Sequence, residues 1–417
     1  MQPCRVECAR AGSAPPPTGL MEDEARIVIK AGRERSLRRR HPWIFSGALE
    51  KVDSPLAAGA TVEVVDAKGA FLARAAFSPS SQIRARVWTF DAGERVDEAF
   101  FRRRLERAID TRRRVGRLDG QSACRVVFSE SDGLPGLIVD HYAGYLVCQF
   151  LSAGAEAWRE AIIGGLIELL RPQGIYERSE GTARRKEGLE SKRGLLAGSE
   201  APAAVEYRCG RVRRLVMLGR GQKTGAYLDQ QENVQRVARY AGGERILDAF
   251  AYTGGFAMAA LLGGGVEATL IDGSSEALEA AAQAASLNGL DPQCRYVEGD
   301  VFVELRRLKE EGATFGLVVL DPPKFVHSAN QIASGSRGYK DVNLTALKLV
   351  APGGTLATFS CSGHVDAVLF QKILAGAAVD AGRDVQILER LTQPPDHPIA
   401  LEFPEAEYLT GLILKVY

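Results

Sequence analysis

The sequence lacks several features that would assign it to a common functional class. Its seven cysteines include no CxxC pair, so neither a zinc site nor a disulfide framework is predicted. No apolar run approaches the length of a membrane span, and residues 1–20 lack the apolar core of a signal peptide. The net charge of +1 indicates no particular partner. We therefore expect a cytoplasmic protein with no bound metal and no membrane contact.

The chain is long enough for two or three domains, and its pattern changes along its length. Residues 1–22 are predicted to be a disordered extension. Short alternating strands predict a β-rich, barrel-like domain over residues 23–96. Residues 97–204 combine strands with helices at Asp97–Val115 and Ala155–Leu170, which predicts a central α+β domain. Within it, Gly188–Pro202 is predicted to be loop.

Strands and helices alternate regularly in residues 205–417. The pattern predicts strands at Arg245–Phe250, Glu267–Asp272, Cys294–Glu298, Gly316–Asp321, Thr355–Ser360, Val385–Glu389 and Tyr408–Val416. Helices are predicted between them, including a short one at Asp341–Leu349. This alternation predicts a doubly wound, Rossmann-like sheet, so the fold class is α/β.

Four consecutive strands of this sheet carry an aspartate at or just beyond their carboxyl ends: Asp248, Asp272, Asp300 and Asp321. Ligands bind outside the carboxyl ends of the strands in such sheets. Asp272 lies 24 residues after Asp248, a spacing typical of an acid that accepts hydrogen bonds from ribose hydroxyls. Asp300 is placed to reach an adenine amine, and Gly254 and Gly255 are expected to let the backbone approach the ligand closely.

The first strand-to-helix turn does not have the glycine pattern of a dinucleotide site. A G-x-G-x-x-G sequence is needed there to bind a pyrophosphate, and this turn is Tyr252-Thr-Gly-Gly. The run Gly263–Gly265 comes after the helix, where glycine more often ends a helix. S-adenosylmethionine has an adenosine and no phosphate, so we favour it over NAD or FAD.

Cys361 differs from the other cysteines by its position. It follows a predicted core strand, it is flanked by serines and a glycine, and its strand is expected to lie beside the Asp321 strand, about 5 Å away. A free cysteine is often only a small buried apolar residue. A thiol at the ligand-binding edge of the sheet favours catalysis instead. A thiolate that adds to C6 of a pyrimidine makes C5 nucleophilic enough to attack the methyl group of S-adenosylmethionine.

Three clusters of basic residues precede residue 200. They comprise Arg33, Arg35, Arg38, Arg39, Arg40 and His41; Arg102, Arg103, Arg104, Arg107, Arg112, Arg113, Arg114 and Arg117; and Arg184, Arg185, Lys186, Lys192 and Arg193. Any one cluster is most simply a solvated face. Three clusters in a chain of almost no net charge favour a polyanionic partner.

Seven motifs, in this order, resemble the bacterial large-subunit rRNA 5-methylcytosine methyltransferases of the RlmI type. They are His41-Pro-Trp-Ile-Phe-Ser-Gly47, Ser81–Trp88, Glu130–Gly136, Gln222–Gln230, Asp248-Ala-Phe-Ala-Tyr-Thr-Gly-Gly255, Asp321-Pro-Pro-Lys-Phe325 and Thr358-Phe-Ser-Cys-Ser-Gly363. The resemblance runs from about residue 24 to the C-terminus. It implies an N-terminal PUA domain that binds RNA, a central α+β domain and a class I methyltransferase domain, with large-subunit ribosomal RNA as partner. The oligomeric state, a homodimer included, is left open.

The resemblance also implies roles for individual residues. Cys361 is the implied nucleophile, and Gln222, Lys223, Thr224 and Tyr227 help close the site of S-adenosylmethionine. The residues expected to bind this cofactor are, in addition, Asp248, Phe250, Tyr252, Thr253, Gly254, Asp272, Ser274, Asp300 and Asp321. Many RNA cytosine methyltransferases carry a second cysteine in the proline-containing turn, whereas this turn has none, as in the 5-methyluridine enzymes. The base that removes the C5 proton is therefore open, with Asp321 and Lys324 as candidates.

Two other functions are compatible with these motifs. An Asp-Pro-Pro turn followed by an aromatic residue is the active-site turn of methyltransferases that modify exocyclic amines, such as adenine N6 or guanine N2. Here Lys324 intervenes before Phe325, and Cys361 would have no function. The other alternative is a non-catalytic RNA-binding protein that keeps a methyltransferase fold.

Overall fold

The computed structural model describes residues 25–53, 55–218 and 224–417, so the extension predicted at 1–22 lies outside the described residues. The N-terminal domain contains β1 (Arg26–Ile29), α1 (Arg35–Arg38), β2 (Trp43–Phe45), β3 (Leu49–Val52), β4 (Thr61–Val65), β5 (Phe71–Phe77) and β6 (Ile83–Thr89). The strands form one sheet in the order β2-β6-β5-β4-β1-β3. Alternate residues, such as Ile27, Val62 and Ala85, fill its core.

The central domain is an α+β unit, as expected. It contains α2 (Glu98–Arg114), β7 (Ala123–Phe128), β8 (Leu137–Tyr142), β9 (Tyr145–Phe150), α3 (Ala153–Ala157), α4 (Arg159–Leu170), β10 (Gly174–Ser179), α5 (Thr182–Lys186) and β11 (Lys192–Gly198), with strand order β11-β10-β9-β8-β7. The prediction of a loop at Gly188–Pro202 was wrong, because β11 pairs with β10. This edge strand is largely exposed and contains two glycines, so it shows no apolar alternation.

A β-hairpin connects the central domain to the C-terminal domain. It consists of β12 (Val205–Cys209) and β13 (Val212–Val216). Tyr207 packs against Tyr142 of the central sheet, with 5.7 Å between the ring centroids. The side-chain amide of Asn288 accepts from the N–H of Arg213 and donates to its carbonyl oxygen. The predicted boundary between these two domains, at residue 205, thus falls at a hairpin that packs against both of them.

The C-terminal domain is a doubly wound α/β sheet, as predicted. Its elements are α6 (Gln231–Ala238), β14 (Arg245–Ala249), α7 (Gly255–Leu262), β15 (Glu267–Asp272), α8 (Ser275–Leu287), β16 (Cys294–Glu298), α9 (Val301–Glu310), β17 (Phe315–Leu320), α10 (Ile332–Leu349), β18 (Val350–Ser360), α11 (Ala367–Ala381), β19 (Val385–Leu391) and β20 (Thr410–Val416). The strand order is β16-β15-β14-β17-β18-β20-β19, and β20 runs antiparallel to both of its neighbours. Helices α6–α8 cover one face and α9–α11 the other. Among the helices of the described ranges, none combines the length and apolarity needed to span a bilayer.

Helix α10 is longer than predicted. It begins at Ile332, whereas the sequence pattern predicted a helix from Asp341. The first turns contain Gly335 and Gly338, which look like helix breakers in a sequence. A Cβ atom at Gly335 would lie 2.4 Å from Val326 Cγ2 and 2.7 Å from the carbonyl oxygen of Phe325. The glycine therefore lets the helix pack directly against the segment that follows the Asp-Pro-Pro turn.

Candidate active site

A cleft of about 710 Å³ opens at the carboxyl ends of β14 to β18. It is lined by Tyr227, Asp229, Gln230, Phe250, Tyr252, Asp272, Gly273, Ser274, Gly299, Asp300, Val301, Phe302, Asp321, Pro322, Pro323, Lys324, Phe325, Cys361, Tyr408 and Leu409. The segments that follow five parallel strands thus meet in one place. This is where a doubly wound sheet binds its ligand, as the sequence predicted.

Asp272, at the end of β15, is held in place by backbone donors. Its Oδ2 atom accepts a hydrogen bond from the N–H of Tyr252 at 2.8 Å, and its Oδ1 atom accepts from the N–H of Ser274 at 2.9 Å. Ser274 in turn caps α8, since its hydroxyl accepts from the N–H of Ala277. Each carboxylate oxygen keeps a further lone pair for a ligand hydroxyl. Asp272 is therefore pre-oriented with acceptor capacity left at both oxygens.

Asp300 occupies the equivalent position on the next strand. It caps α9, where its Oδ1 atom accepts from the N–H of Val303 at 3.1 Å. The adjacent wall is aromatic: the rings of Phe250 and Phe302 are 6.2 Å apart, and those of Phe302 and Phe325 are 6.0 Å apart. A flat apolar wall beside a carboxylate acceptor suits an adenine ring with its exocyclic amine.

The loop after β14 has an unusual backbone conformation. Phe250 has φ 62° and Tyr252 has φ 47°, in the left-handed region that bulky residues rarely occupy. Such conformations cost about 1–3 kcal/mol each and concentrate at functional sites. The N–H of Tyr252 is bound by Asp272, and its ring packs edge-on against Tyr227, with 5.1 Å between the centroids. These contacts retain a strained loop on the wall of the cleft.

Asp248 lies beneath the cleft and does not line it. Its Oδ2 atom accepts from the N–H of Ala257 at the start of α7, at 2.9 Å, and its Oδ1 atom is buried with no hydrogen-bond partner among the described residues. Burial, with a smaller contribution from the nearby carboxylates of Asp321 and Asp272, raises the pKa of this carboxyl to about 8. Dinucleotide-binding sheets place a pyrophosphate at this helix N-terminus. Here a carboxyl group occupies that position.

Three of the residues predicted to bind the cofactor make close contacts within the fold. Thr224 is fully buried, and its hydroxyl donates to Asp140 at 2.5 Å and contacts the Tyr142 hydroxyl. The Thr253 hydroxyl accepts from Arg214 at 2.6 Å. Gly254 has φ 70°, and a Cβ atom there would lie 2.9 Å from Leu270 Cδ2. None of the three is among the residues that line the cleft, and their contact with the cofactor stays a prediction. Gln222 and Lys223 lie outside the described residues.

The thiol of Cys361 faces the same cleft as the Asp-Pro-Pro-Lys turn. Strands β17 and β18 are paired neighbours, as predicted, and Cys361 Sγ lies 3.9 Å from the carbonyl oxygen of Pro322. The buried hydroxyl of Ser362 accepts from the N–H of Val326 at 3.3 Å and lies 2.9 Å from the hydroxyl of Tyr339. These bonds attach the cysteine segment to the turn. Cys361, Asp321 and Lys324 are thus brought together.

The other described cysteines lie outside the cleft. Cys124, Cys148 and Cys209 are buried, and burial raises the pKa of each thiol above its ordinary value. Cys294 is half-buried on β16, and desolvation again raises its pKa. Because the thiolate is the reactive form, none of these four is suited to nucleophilic attack.

Three hydrogen bonds at the cleft were not anticipated from the sequence. The side-chain amide of Gln230 donates to Asp321 Oδ1 at 3.1 Å, and its oxygen accepts from Asn233 at 2.7 Å. The hydroxyl of Tyr408 donates to Asp229 Oδ2 at 2.7 Å. Gln230 and Asp229 belong to the Gln222–Gln230 motif, which could have drawn attention to them. No local sequence pattern pointed to Tyr408.

The charge of the cleft selects among ligands. Its described lining contains four aspartates, Asp229, Asp272, Asp300 and Asp321, and one lysine, Lys324. An excess of carboxylates in one cleft favours a cation and repels a phosphate. S-adenosylmethionine carries a sulfonium and an ammonium group against one carboxylate, so the residues present fit it. A dinucleotide would bring a pyrophosphate into a negative site.

Comparisons with known proteins agree with this geometry. The PUA-like domain family matches residues 27–90, and the S-adenosylmethionine-dependent methyltransferase family matches residues 199–414. Ribosomal RNA large subunit methyltransferase I of Klebsiella pneumoniae is 47% identical over 392 residues, which cover 94% of this chain and 98% of the relative. The protein of that name from Escherichia coli is 46% identical over 392 residues, covering 94% and 99%.

A solved structure shows the same fold. SMU.776, crystallised in complex with SAH, superposes with a TM-score of 0.80 over 94% of this chain and 99% of its own, at 19% identity. The identity to the curated relatives extends over nearly the whole length of both chains, all three domains included. This chain therefore belongs to the ribosomal RNA large subunit methyltransferase I family of S-adenosylmethionine-dependent methyltransferases.

Proposed function

We propose that this protein transfers a methyl group from S-adenosylmethionine to C5 of a cytosine in large-subunit ribosomal RNA, through a covalent bond between Cys361 and C6. The class of RNA is taken from the names of the relatives. The observation that most supports this chemistry is the position of Cys361. Its thiol lines the cleft that contains Asp272 and Asp300, whereas the other described cysteines lie elsewhere.

The donor is bound by residues that already have fixed positions. S-adenosylmethionine supplies an electrophilic methyl group when it is bound. Asp272 accepts hydrogen bonds from the ribose hydroxyls, and Asp300 accepts one from the adenine amine. Phe250 and Phe302 provide the apolar wall against the adenine. Asp321 and Asp229 add negative charge that attracts the cationic groups of the donor.

The target base reacts with Cys361. The cytosine must leave its stack to present C6 to the thiolate. When sulfur bonds to C6, the electron pair of the C5–C6 double bond becomes available at C5. C5 then bonds to the methyl group while the bond between that group and the sulfonium sulfur breaks, which leaves S-adenosylhomocysteine. A base then removes the C5 proton, the double bond re-forms, and the bond between C6 and sulfur breaks. We assign the proton transfer to Asp321 or Lys324, which lie on the turn beside the thiol.

The alternatives leave part of the cleft without a function. Methylation of an exocyclic amine would use the Asp321 turn and Phe325, which also lines the cleft. It would not need a thiol beside that turn. A non-catalytic RNA-binding role would not need a strained loop that meets a pre-oriented aspartate.

The proposal is tested by identifying the methylated nucleoside. The purified protein would be incubated with unmodified large-subunit ribosomal RNA and methyl-labelled S-adenosylmethionine, and the RNA digested to nucleosides for mass spectrometry. We expect the label in 5-methylcytidine. Label in N6-methyladenosine or N2-methylguanosine would support methylation of an exocyclic amine instead. No transfer at all would support the non-catalytic role. In cells, one cytosine of large-subunit ribosomal RNA should carry a 5-methyl group when the protein is present and lack it when the protein is absent.

A further inference from the structure

An ion pair in the central domain contacts two of the segments that line the cleft. Arg125 of β7 lies directly opposite Asp140 of β8, and its Nε and Nη2 atoms each donate to one carboxylate oxygen at 2.9 Å. The Asp140 side chain is fully buried, and that of Arg125 is 12% exposed. Neither residue is among the described residues that line the cleft. This central ion pair can therefore act on the chemistry only through its neighbours.

The first of these neighbours is the segment that precedes α6. Asp140 Oδ2 accepts a hydrogen bond from the hydroxyl of Thr224 at 2.5 Å. Two residues later the N–H of Ala226 donates to the hydroxyl of Tyr142, also on β8, at 3.2 Å. The residues that follow line the cleft: Tyr227, Asp229 and Gln230. The central sheet thus fixes this segment immediately before its cleft-lining residues.

The second neighbour is the loop of residues 392–409, which connects β19 to β20. The N–H of Arg125 donates to Asp396 Oδ2 at 3.0 Å. Within the loop, the side-chain oxygen of Gln393 accepts from the N–H of Tyr408 at 3.3 Å, and its amide group donates to two carbonyl oxygens of the same loop at 2.9 Å. Tyr408 lines the cleft. The same arginine therefore anchors both segments, one through its side chain and one through its backbone.

The two segments meet in one hydrogen bond. The hydroxyl of Tyr408 donates to Asp229 Oδ2 at 2.7 Å. The Arg125 guanidinium carbon is 5.6 Å from the centroid of the Phe128 ring, and that ring is 6.3 Å from the ring of Tyr408. Burial lowers the pKa of Arg125, but attraction to Asp140, and then to Tyr408 and Asp229, raises it above its ordinary value. A fixed positive charge thus lies near this hydrogen bond and attracts its acceptor.

We propose that Arg125 and Asp140 are positioning residues for methyl transfer, which hold the hydrogen bond between Asp229 and Tyr408 where the target base needs it. The inference rests on the proposed function and gives the central domain a part in the reaction. A buried ion pair adds little net stability compared with apolar residues, so stability alone is a weak reason for its presence. A bidentate arginine does fix distance and orientation. Geometry matters here, because a displacement of about 1 Å at a reacting group can cost about a hundredfold in rate.

The test replaces the central ion pair by apolar residues in the full-length protein. Arg125→Met with Asp140→Leu removes both charges together, so no buried charge is left without its partner and the fold should persist. The matched control is Arg159→Met with Glu177→Leu. This pair also lies in the central domain, with 2.6 Å between Arg159 Nη2 and Glu177 Oε2, and its guanidinium is 5.3 Å from the centroid of the Phe150 ring.

The rate of methyl transfer to large-subunit ribosomal RNA is measured in a single turnover. It should fall about tenfold to a hundredfold when the central ion pair is replaced, because one wall of the cleft is displaced. Affinity for S-adenosylmethionine, measured by calorimetry, should stay close to the wild-type value, since the hydrogen bonds of Asp272 and Asp300 are untouched. The control variant should keep both values. An unchanged rate, an equal loss in the control, or a loss of donor affinity as large as the loss of rate would overturn the inference.

A double-mutant cycle distinguishes positioning from a general weakening of the fold. Arg125→Lys keeps the charge but loses the bidentate geometry, so it decides the question if the apolar pair unfolds. Tyr408→Phe removes the hydroxyl that donates to Asp229. Each change should lower the rate, and the double variant should be no slower than the slower single variant, because both act on the same hydrogen bond. Losses that multiply would mean that Arg125 acts elsewhere and would overturn its positioning role.

These rates count methyl groups transferred to RNA, whichever nucleoside receives them. A methylated product other than 5-methylcytidine would therefore overturn the proposed chemistry at Cys361, and it would leave the positioning role of Arg125 and Asp140 intact. A rate that does not respond to the central ion pair would have the opposite consequence.

Discussion

The two halves of the cleft are built in different ways. In the donor half, Asp272 and Asp300 are held by backbone N–H groups: each accepts one from its own turn, and Asp272 accepts a second from Tyr252 on the loop after β14. In the target half, Asp321 is held by Gln230, 91 residues away. The Cys361 segment is held through its neighbour Ser362, which contacts Val326 and Tyr339 on other elements.

This difference indicates a division of function. Backbone bonds between these adjacent turns form when the sheet forms, so the donor half is preorganised by the fold itself. The target half depends on side chains from several elements, so it can be altered without loss of the donor site. We therefore expect changes in the target half to act on turnover and changes in the donor half to act on cofactor affinity.

Cys361→Ala should give the largest effect. Without addition to C6 the C5 carbon is not activated, so methyl transfer should fall by about 10³-fold or more, which is about 4 kcal/mol or more in the barrier. Affinity for S-adenosylmethionine and melting temperature should change little, because the residue is small and partly exposed at a strand end. Single-turnover kinetics and calorimetry would measure these quantities. Cys294→Ala is the matched control and should leave turnover intact, while substantial turnover in Cys361→Ala would rule out the thiol mechanism.

Asp272→Ala tests the donor half. Two ribose hydroxyls lose their acceptor, and the N–H groups of Tyr252 and Ser274 lose theirs. Affinity for S-adenosylmethionine should fall at least about tenfold, or about 1.4 kcal/mol. Titration calorimetry is the measurement, with Asp291→Ala, an exposed aspartate outside the cleft, as control. Unchanged affinity in Asp272→Ala would refute the ribose assignment.

Gln230→Leu tests whether the two halves can be separated. Asp321 loses a partly buried donor, which should reduce turnover about tenfold, within the range expected for a hydrogen bond to a charged group. Affinity for the donor should change less than about threefold. The control Gln235→Leu removes a hydrogen bond that α6 donates to the carbonyl of Cys209 in β12, and it should lower the melting temperature alone. A loss of donor affinity in Gln230→Leu as large as that of Asp272→Ala would contradict the division.

Asp248→Asn should give the smallest effect, and it depends on pH. The folded-state pKa of Asp248 is raised to about 8 from 3.8 by burial. The folded protein therefore binds a proton more tightly than the unfolded chain, and this stabilisation is lost as the pH rises through about 8. The asparagine variant cannot ionise, so its melting temperature relative to wild type should be higher at pH 9 than at pH 6. The same difference at both values would mean that Asp248 does not titrate in this range.

The sequence predicted the parts of the site that depend on local order. Asp272, Asp300 and Cys361 could be assigned because each follows a strand of a regular α/β alternation, and the sheet then brings them to one edge. Thr224 was assigned to the donor from a motif, yet its hydroxyl bonds to Asp140, 84 residues earlier. Such pairings depend on tertiary packing, which short motifs do not encode.

Tertiary packing also decides the environments of the arginines and the bounds of some elements, which the sequence pattern did not predict. Arg112 and Arg40 look alike in the sequence, but one is buried against Asp132 and the other is exposed on a strained turn. Edge strand β11 was missed because exposure and glycines remove its alternation, and the first turns of α10 were missed because Gly335 serves a close packing contact. In each case the deciding partner lies on another element.

The covalent bond between Cys361 and cytosine is tested most directly by trapping it. Large-subunit ribosomal RNA transcribed with 5-fluorocytidine would be incubated with the protein and S-adenosylmethionine, because fluorine at C5 blocks the proton removal that releases the enzyme. We predict a complex that survives denaturation, depends on S-adenosylmethionine, and yields a nucleotide-modified peptide containing Cys361. It should be absent from Cys361→Ala and present in Cys294→Ala. No adduct under conditions where unmodified RNA is methylated, or an adduct on another residue, would contradict the account.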